Sequence, residues 1–91
     1  MKINYFATLR EITRKNEEQL NNPPTTLGEL IDSLCKRYGK AFAKWVSCEE
    51  GGYGSLSIFL VNGIDYRSLD GLHTKIGEDD IISIFPPIAG G

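Results

Sequence analysis

Apolar residues in the first half of the chain recur with the period of an α-helix. The residues that share this face follow one another at i, i+3, i+4, i+7, i+8 and i+11: Leu27, Leu30, Ile31, Leu34, Cys35 and Tyr38. Such a stripe is typical of a helix that buries one side. Thr26 and Glu29 stand in capping-box spacing at its start, and Gly39 is placed for a left-handed cap at its end. We therefore predict an amphipathic helix of about three turns.

Alternating and β-branched residues predict strands on both sides of this helix. Residues 2–8 alternate, with Ile3 and Tyr5 on one side, and residues 17–20 would return as a short second strand. The polar residues 9–15 between them are predicted to form a turn. Three further strands are predicted after the helix, over residues 56–62, 64–67 and 81–85, with a tight turn at Asn62-Gly63.

The order of these elements predicts an α+β fold built as one domain. Phe42, Trp45 and Val46 indicate a second short helical turn, and the glycine-rich residues 48–55 indicate a loop. A single main helix laid across a mixed sheet of four to five strands lets this order bury one core. Two outer hairpins would place the first and last strands side by side at the centre. This is the β-grasp, or ubiquitin-like, arrangement.

Composition and charge exclude several classes of function. The chain has 91 residues and a net charge of −2, which gives no electrostatic reason to expect nucleic acid or an anionic membrane as partner. No apolar run approaches the roughly 20 residues of a membrane span. The first residues continue directly into a strand pattern and do not resemble a signal peptide. We therefore expect a cytoplasmic protein without nucleic-acid or membrane partners.

Residues able to perform enzyme chemistry are sparse. His73 has no nucleophile or metal-ligand spacing beside it, and Cys35 lies on the buried stripe of the predicted helix. Cys48 falls in a loop, but nothing near it in sequence would lower the pKa of its thiol. No metal site and no bound cofactor are predicted. A stand-alone enzyme is therefore the function that the sequence favours least.

The C-terminal segment is unusual because residues 81–91 carry no ionisable side chain. Two prolines, Pro86 and Pro87, favour an extended exit from the last strand. Two glycines, Gly90 and Gly91, make the tip thin enough to enter a narrow channel. We therefore divide the chain into a domain over residues 1–85 and a tail over residues 86–91. The terminal carboxylate is the candidate reacting group, because as an acyl-adenylate it can accept a sulfur or nitrogen nucleophile.

Strand alternation also predicts which apolar residues contact a partner. If Ile82 and Ile84 face the helix, Phe85 lies on the opposite face at the base of the tail. In the same way, Phe59 and Val61 facing inward would leave Leu60 outward. The alternative is that Phe85 and Leu60 only cover the sheet edge or pack under the long loop. The predicted partner-binding residues are those of the tail and these two side chains: Gly90, Ala89, Ile88, Pro87, Pro86, Phe85 and Leu60.

Several short motifs resemble the MoaD-like family of ubiquitin-like sulfur carriers. The matching segments are Phe6-Ala7-Thr8-Leu9-Arg10-Glu11, Val61-Asn62-Gly63, Leu69-Asp70-Gly71-Leu72 with Thr74, and the ending Ser83-Ile84-Phe85-Pro86-Pro87-Ile88-Ala89-Gly90-Gly91. The resemblance covers nearly the whole chain, and the tail is its most specific part. Related carriers of the thiamine pathway usually lack the two prolines before the final residues.

The resemblance implies that this chain is the small subunit of molybdopterin synthase. An E1-like, MoeB-like enzyme would use ATP to adenylate Gly91, which would then be converted to a thiocarboxylate. The tail would enter the active site of a larger, MoaE-like subunit. There it would deliver sulfur for the dithiolene of the molybdenum or tungsten cofactor.

Residues 45–55 form a longer segment than in compact bacterial members, which is a feature of archaeal versions. Some archaeal versions become attached to protein lysines. The alternatives are therefore a protein modifier joined to lysines through Gly91, or a sulfur carrier for another pathway such as thiamine synthesis or tRNA thiolation. A third alternative is a plain binding module whose tail is never activated.

Overall fold

The computed structural model describes residues 1–49 and 51–87. The strands in this part of the chain are β1 (Lys2–Tyr5), β2 (Glu17–Gln19), β3 (Ile58–Val61), β4 (Ile64–Asp65) and β5 (Ile81–Phe85). The α-helices are α1 (Thr8–Thr13), α2 (Leu27–Tyr38) and α3 (Lys40–Val46). Short 3-10 turns cover Gly54–Leu56, Tyr66–Ser68 and Gly71–His73. Within these residues no helix has the length and apolar character needed to span a bilayer.

The sheet has the strand order β2-β1-β5-β3-β4, so the first and last strands lie side by side at its centre. β1 and β5 run parallel, with Ile3 opposite Ile82, whereas the other neighbouring pairs are antiparallel. The long helix α2 supplies apolar side chains to the same core as one face of this sheet. The β-grasp fold predicted from the order of elements is therefore confirmed.

One face of the sheet and one face of α2 share a fully buried core. Ile82, Ile84 and Phe59 have no exposed surface, and Val61 is buried at 6% exposure. Leu27, Leu30 and Leu34 cover them from the helix. The predicted inward orientation of residues 59, 61, 82 and 84 is confirmed, which leaves Leu60 and Phe85 on the opposite face of the sheet.

The predicted limits of α2 are confirmed, and Gly39 caps its end with a positive φ, but not in the left-handed helical conformation that was predicted. At the start, the Thr26 Oγ1 atom accepts a hydrogen bond from the Glu29 N–H at 3.3 Å. At the end, Gly39 donates its N–H to the Cys35 carbonyl at 2.9 Å. Its φ of 84° is positive, but its ψ of −167° is extended and not helical. The chain therefore turns sharply at Gly39 and enters α3 without a loop.

The prediction of a polar turn over residues 9–15 was wrong, and the predicted first strand was too long. β1 ends at Tyr5, Ala7 adopts φ 54° and ψ −132°, and α1 begins at the next residue. Leu9 is fully buried, and the Thr13 hydroxyl donates to the Leu9 carbonyl at 2.9 Å. Contact with the core therefore stabilises a helix that its polar composition does not suggest. This outcome follows from tertiary packing, which overrides weak local propensity.

Two predicted strands in the second half are also shorter than expected. The strand predicted over residues 56–62 begins only at Ile58, because Gly54–Leu56 form a 3-10 turn. The strand predicted over residues 64–67 ends at Asp65. The Asp65 Oδ1 atom accepts a hydrogen bond from the Arg67 N–H at 2.9 Å. This bond caps the start of the 3-10 turn over Tyr66–Ser68. The predicted Asn62-Gly63 turn is confirmed, with positive φ at both residues, as a type I′ hairpin requires.

The glycine-rich loop caps the carboxyl end of α3. The N–H of Tyr53 donates to the Lys44 carbonyl at 2.9 Å, and the N–H of Gly54 donates to the Ser47 carbonyl at 2.8 Å. The Ser57 hydroxyl donates to the Trp45 carbonyl at 2.6 Å. These bonds satisfy carbonyl groups that a helix end otherwise leaves without partners. Residues 53 and 54 are therefore fixed to the end of α3 by their backbone N–H groups.

Replacement of Gly54 is expected to destabilise the fold strongly. A Cβ atom at this position would lie 2.3 Å from the Val46 carbonyl oxygen and 2.6 Å from that of Ser47. Both are backbone atoms that cannot rotate away, so Gly54→Ala should lower the free energy of unfolding by about 3 kcal/mol. Gly77→Ala is the matched control, because an added Cβ there meets nothing within 4 Å. Equal urea midpoints for the two variants would contradict this packing.

Candidate functional site

The aromatic ring of Phe85 marks the end of β5 on the outer face of the sheet, away from α2. It stacks on Phe6, with ring centroids 4.1 Å apart and planes inclined by 11°. The guanidinium carbon of Arg10 lies 5.8 Å from the centre of the Phe6 ring. In the ladder, Phe85 stands opposite Ile58 of β3. A half-buried aromatic pair with a cation beside it therefore stands directly before Pro86.

Apolar side chains continue from this pair across the outer face. Leu56 and Ile58 are 66% and 39% exposed, although both are aliphatic. They border an open depression of about 360 Å³ whose other walls are Ala7, Phe85, Pro86 and Pro87. Half-buried Leu60 lies beside Ser83 of β5 on the same face. We call the surface formed by Phe6, Leu56, Ile58, Leu60 and Phe85 the outer apolar patch.

Sequence reasoning located only part of this patch. Phe85 and Leu60 were predicted to face outward and do so, but their role in partner binding stays a prediction. Leu56 and Ile58 were missed, although the alternation that places Leu60 outward places Ile58 outward as well. Pro86 is buried and Pro87 is half-buried. The remaining predicted tail residues, Ile88, Ala89, Gly90 and Gly91, lie outside the described residues.

A cluster of polar side chains around Glu18 connects β1, β2 and α2. The hydroxyl groups of Tyr5 and Tyr38 both donate to its Oε1 atom, the Tyr38 hydroxyl at 2.6 Å. Arg37 contacts the Oε2 atom at 2.8 Å and Lys15 contacts it at 3.3 Å. The Glu18 side chain is only 9% exposed. The cluster therefore joins the end of β1 to β2 and to the last turn of α2.

Opposing effects determine the protonation of this cluster. Burial by itself raises the pKa of Glu18, but hydrogen bonds from Tyr38 and Tyr5 and the charge of Lys15 lower the pKa below its ordinary value. For Tyr5, burial and the hydrogen bond to Glu18 both raise the pKa. Glu18 is therefore a carboxylate at neutral pH, and both tyrosines donate to it.

Neither cysteine is prepared for nucleophilic chemistry. Burial, with smaller contributions from Asp32 and Glu49, raises the pKa of Cys35 to about 11. The thiol of Cys48 is exposed, but partial desolvation and Asp32 raise its pKa as well. In the described part of the chain no three His, Cys, Asp or Glu side chains come together as a metal site.

The fold is that of a small ubiquitin-like protein. The family model described as the ThiS family matches residues 3–91. The chain therefore belongs to the ThiS family. This result confirms the sulfur-carrier and modifier class that the MoaD-like motifs predicted.

Individual relatives come from both archaea and bacteria. The chain is 30% identical over 92 residues to small archaeal modifier protein 3 of Haloferax volcanii, and the match covers 100% of this chain and 98% of that protein. The solution structure of small archaeal modifier protein 1 from Methanosarcina acetivorans is 28% identical, with a TM-score of 0.77 over 99% of this chain and 94% of that one. A chain of the BexX/CysO complex from Amycolatopsis orientalis is 25% identical, with a TM-score of 0.75 over 99% and 98%.

Proposed function

We propose that this protein carries sulfur on the carboxylate of Gly91. An E1-like enzyme would join that carboxylate to the α-phosphate of ATP and release pyrophosphate. Hydrosulfide would then attack the acyl carbon, break its bond to the phosphate of AMP, lose its proton and leave a thiocarboxylate and free AMP. The observation that carries the proposal is the outer apolar patch beside Pro86 and Pro87 in a ThiS-family fold whose sequence ends in Gly-Gly.

We further propose that the thiocarboxylate serves molybdopterin synthase. The support is the MoaD-like ending, in which Pro86 and Pro87 precede the final residues. The larger, MoaE-like subunit would cover Phe85 and Leu60 and receive residues 86–91 in its active site. Sulfur from Gly91 would then form the dithiolene of the molybdenum or tungsten cofactor. In this scheme the larger subunit supplies the catalytic acid and base.

The second candidate is a protein modifier. It is supported by the match to small archaeal modifier protein 3, which covers 100% of this chain at 30% identity. The first step is the same, but a lysine amine of the target protein would displace AMP from Gly91 and form an amide. The two candidates therefore share the adenylate and differ in the nucleophile that follows. Sulfur transfer in thiamine synthesis or tRNA thiolation would use the same thiocarboxylate with another acceptor.

The intact mass of the protein tests the shared and the distinct steps. The chain is incubated with ATP, a sulfide source and the E1-like enzyme of its own organism. A mass gain equal to the exchange of one oxygen for one sulfur, localised to Gly91, would support the sulfur carrier. Lysine-linked adducts of Gly91 in cell extract would support the modifier. A mass that never changes, with no AMP-dependent intermediate, would overturn both proposals.

Replacement of Phe85 is expected to weaken binding to the protein that receives the tail. Phe85→Asp puts a carboxylate into the outer apolar patch, so we expect the dissociation constant to rise about 10- to 100-fold. Titration calorimetry with the E1-like enzyme or with the MoaE-like subunit measures this change. Ile64→Asp is the matched control, because Ile64 is 49% exposed and lies outside the patch. Equal losses for both variants would show that the patch has no special role.

A further inference from the structure

Ala7 has a backbone conformation that alanine adopts only under strain. Its φ of 54° and ψ of −132° are close to those of the first central residue of a type II′ turn, a position dominated by glycine. The Leu9 N–H donates to the Phe6 carbonyl at 3.1 Å and closes this turn. A residue with a Cβ atom is strained at these angles, whereas glycine adopts them freely. The folded chain therefore contains a strain that glycine at position 7 would remove.

Neither capping nor burial offsets this strain among the residues that the structure describes. Ala7 immediately precedes helix α1, at a position that favours serine, threonine, asparagine, aspartate or glycine over alanine. Its side chain forms no hydrogen bond to the start of the helix. Ala7 is also exposed, so its methyl group gains little from the hydrophobic core. The free protein therefore gives no local reason for alanine rather than glycine here.

Ala7 lies on the outer face of the sheet, although strand alternation would place it inside. The buried side chain of Tyr5 faces the core, and a period of two would place residue 7 on the same side. Instead, Ala7 borders the open depression together with Phe85 and Pro86. Tyr5 is opposite Ile84 in the parallel ladder, so two residues further along, position 7 is level with Pro86. The unusual backbone therefore leaves a methyl group beside the first residue of the tail.

We infer that the methyl group of Ala7 is a specificity contact for the enzyme that adenylates Gly91. The inference rests on the proposed function, because it assigns a further residue to the same encounter. Pro87 borders the depression, and the carboxylate of Gly91 follows four residues later. Four extended residues span at most about 14 Å, so an enzyme that encloses this carboxylate has the mouth of its channel close to Ala7.

The chemistry of the depression identifies the group that would cover Ala7. Its walls are an alanine, two aliphatic side chains, an aromatic ring and two prolines, so its counterpart at the mouth of the channel is an apolar side chain. Such a contact buries the methyl group, which the free protein leaves in water. Strained residues are concentrated at sites of binding and catalysis. The strain at Ala7 is therefore a cost to the free protein that contact with the enzyme offsets.

Replacement of Ala7 by glycine tests the inference, because it removes the strain and the methyl group together. Ala7→Gly should raise the urea midpoint, because the relief of strain exceeds the extra conformational entropy that glycine loses on folding. The KM for adenylation by the E1-like enzyme of the same organism should rise about fourfold, as expected for one lost methyl contact, with kcat unchanged. A purely structural role of Ala7 would move the midpoint but not KM.

A second variant and a control make the test independent of one small effect. Ala7→Asn retains a residue type that tolerates positive φ but puts a polar amide beside the depression, so KM should rise about tenfold. Asn22→Gly is the matched control. Asn22 also has a φ of 54°, but it stands at the end of the sheet where β5 begins, and its N–H donates to the Glu78 carboxylate at 3.2 Å. Its KM should equal that of the unsubstituted chain.

The possible failures are distinguishable. An unchanged KM for both variants at position 7, an equal rise for Asn22→Gly, or a lower urea midpoint for Ala7→Gly overturns the inference and leaves the proposed function intact. A dimer in sedimentation that Ala7→Asn dissociates would assign the depression to a second copy of the chain. A urea midpoint that falls on removal of residues 88–91 would assign it to the chain's own tail. Either result also overturns the inference. If the unsubstituted chain forms no adenylate, the proposed function fails and the inference fails with it.

Discussion

A chain that lacks Gly91 is expected to fold normally and to form no adenylate. Deletion moves the terminal carboxylate back by about 3.5 Å, which is one extended residue. A reacting group displaced by about 1 Å already costs roughly a hundredfold in rate, so adenylation should fall to background. Among the residues that the structure describes, those of the buried core precede Phe85, so the urea midpoint should not change. Intact mass after incubation with ATP and the E1-like enzyme measures the loss.

A second variant with alanine appended after Gly91 displaces the carboxylate in the other direction. We expect it to be as inactive as the deletion, because the carboxylate no longer meets the α-phosphate of ATP. Formation of the adenylate on either variant would show that adenylation does not depend on the length of the tail. Normal binding of both variants to the E1-like enzyme, without adenylate, would separate docking of the outer apolar patch from the chemistry at the tip.

Replacement of Glu18 by glutamine is expected to remove a large part of the acid-sensitive stability. Glu18→Gln should lower the free energy of unfolding at pH 7 by about 2–3 kcal/mol, because a neutral amide oxygen accepts more weakly from the two hydroxyl groups and forms no ion pair with the two cations. The pKa of Glu18 is lowered in the fold, so its carboxylate stabilises the protein above about pH 5. That contribution disappears as the pH falls through the lowered pKa.

The difference between the free energies of unfolding of the two proteins should therefore shrink as the pH falls below about 5 and through the lowered pKa of Glu18. Urea unfolding at several pH values measures it. Glu17→Gln is the control on the same strand, because Glu17 forms an exposed ion pair with Lys2 that is worth at most about 1 kcal/mol. A constant difference between Glu18→Gln and the unsubstituted chain at every pH would refute the assignment of the acid sensitivity to this carboxylate.

Local periodicity predicted helix α2 and the orientation of the side chains in β3 and β5. The 3.6-residue repeat of α2 and the alternation of β3 and β5 depend only on residues that are close in sequence, so the buried face of each element could be predicted. Helix α1 was missed because it has six residues, and only Leu9 and Thr13 among them are buried. Its formation depends on contact with the core, which no short window of sequence reveals.

The candidate site shows the same limit. The alternation of β5 predicted that Phe85 faces away from the helix, but its stacking on Phe6 depends on the parallel register of β1 with β5. The Glu18 cluster joins residues 13, 19 and 20 positions apart, and β2 has too weak a pattern to predict its facing. Contacts between distant segments follow from topology, whereas a tail without ionisable side chains is visible in the sequence itself.

Because β5 is the central strand of the sheet, the surface around Phe85 forms only after this strand has been inserted. Asn4 and Ser83 share a hydrogen bond although they are 79 positions apart, so β1 cannot pair with β5 until residues 81–85 have been synthesised. Such distant pairing is slow to form compared with local contacts. Phe85 acquires its outward orientation and its stacking on Phe6 only when this strand is inserted. A partner that binds the Phe6–Phe85 pair therefore selects folded molecules over unfolded ones that have the same tail.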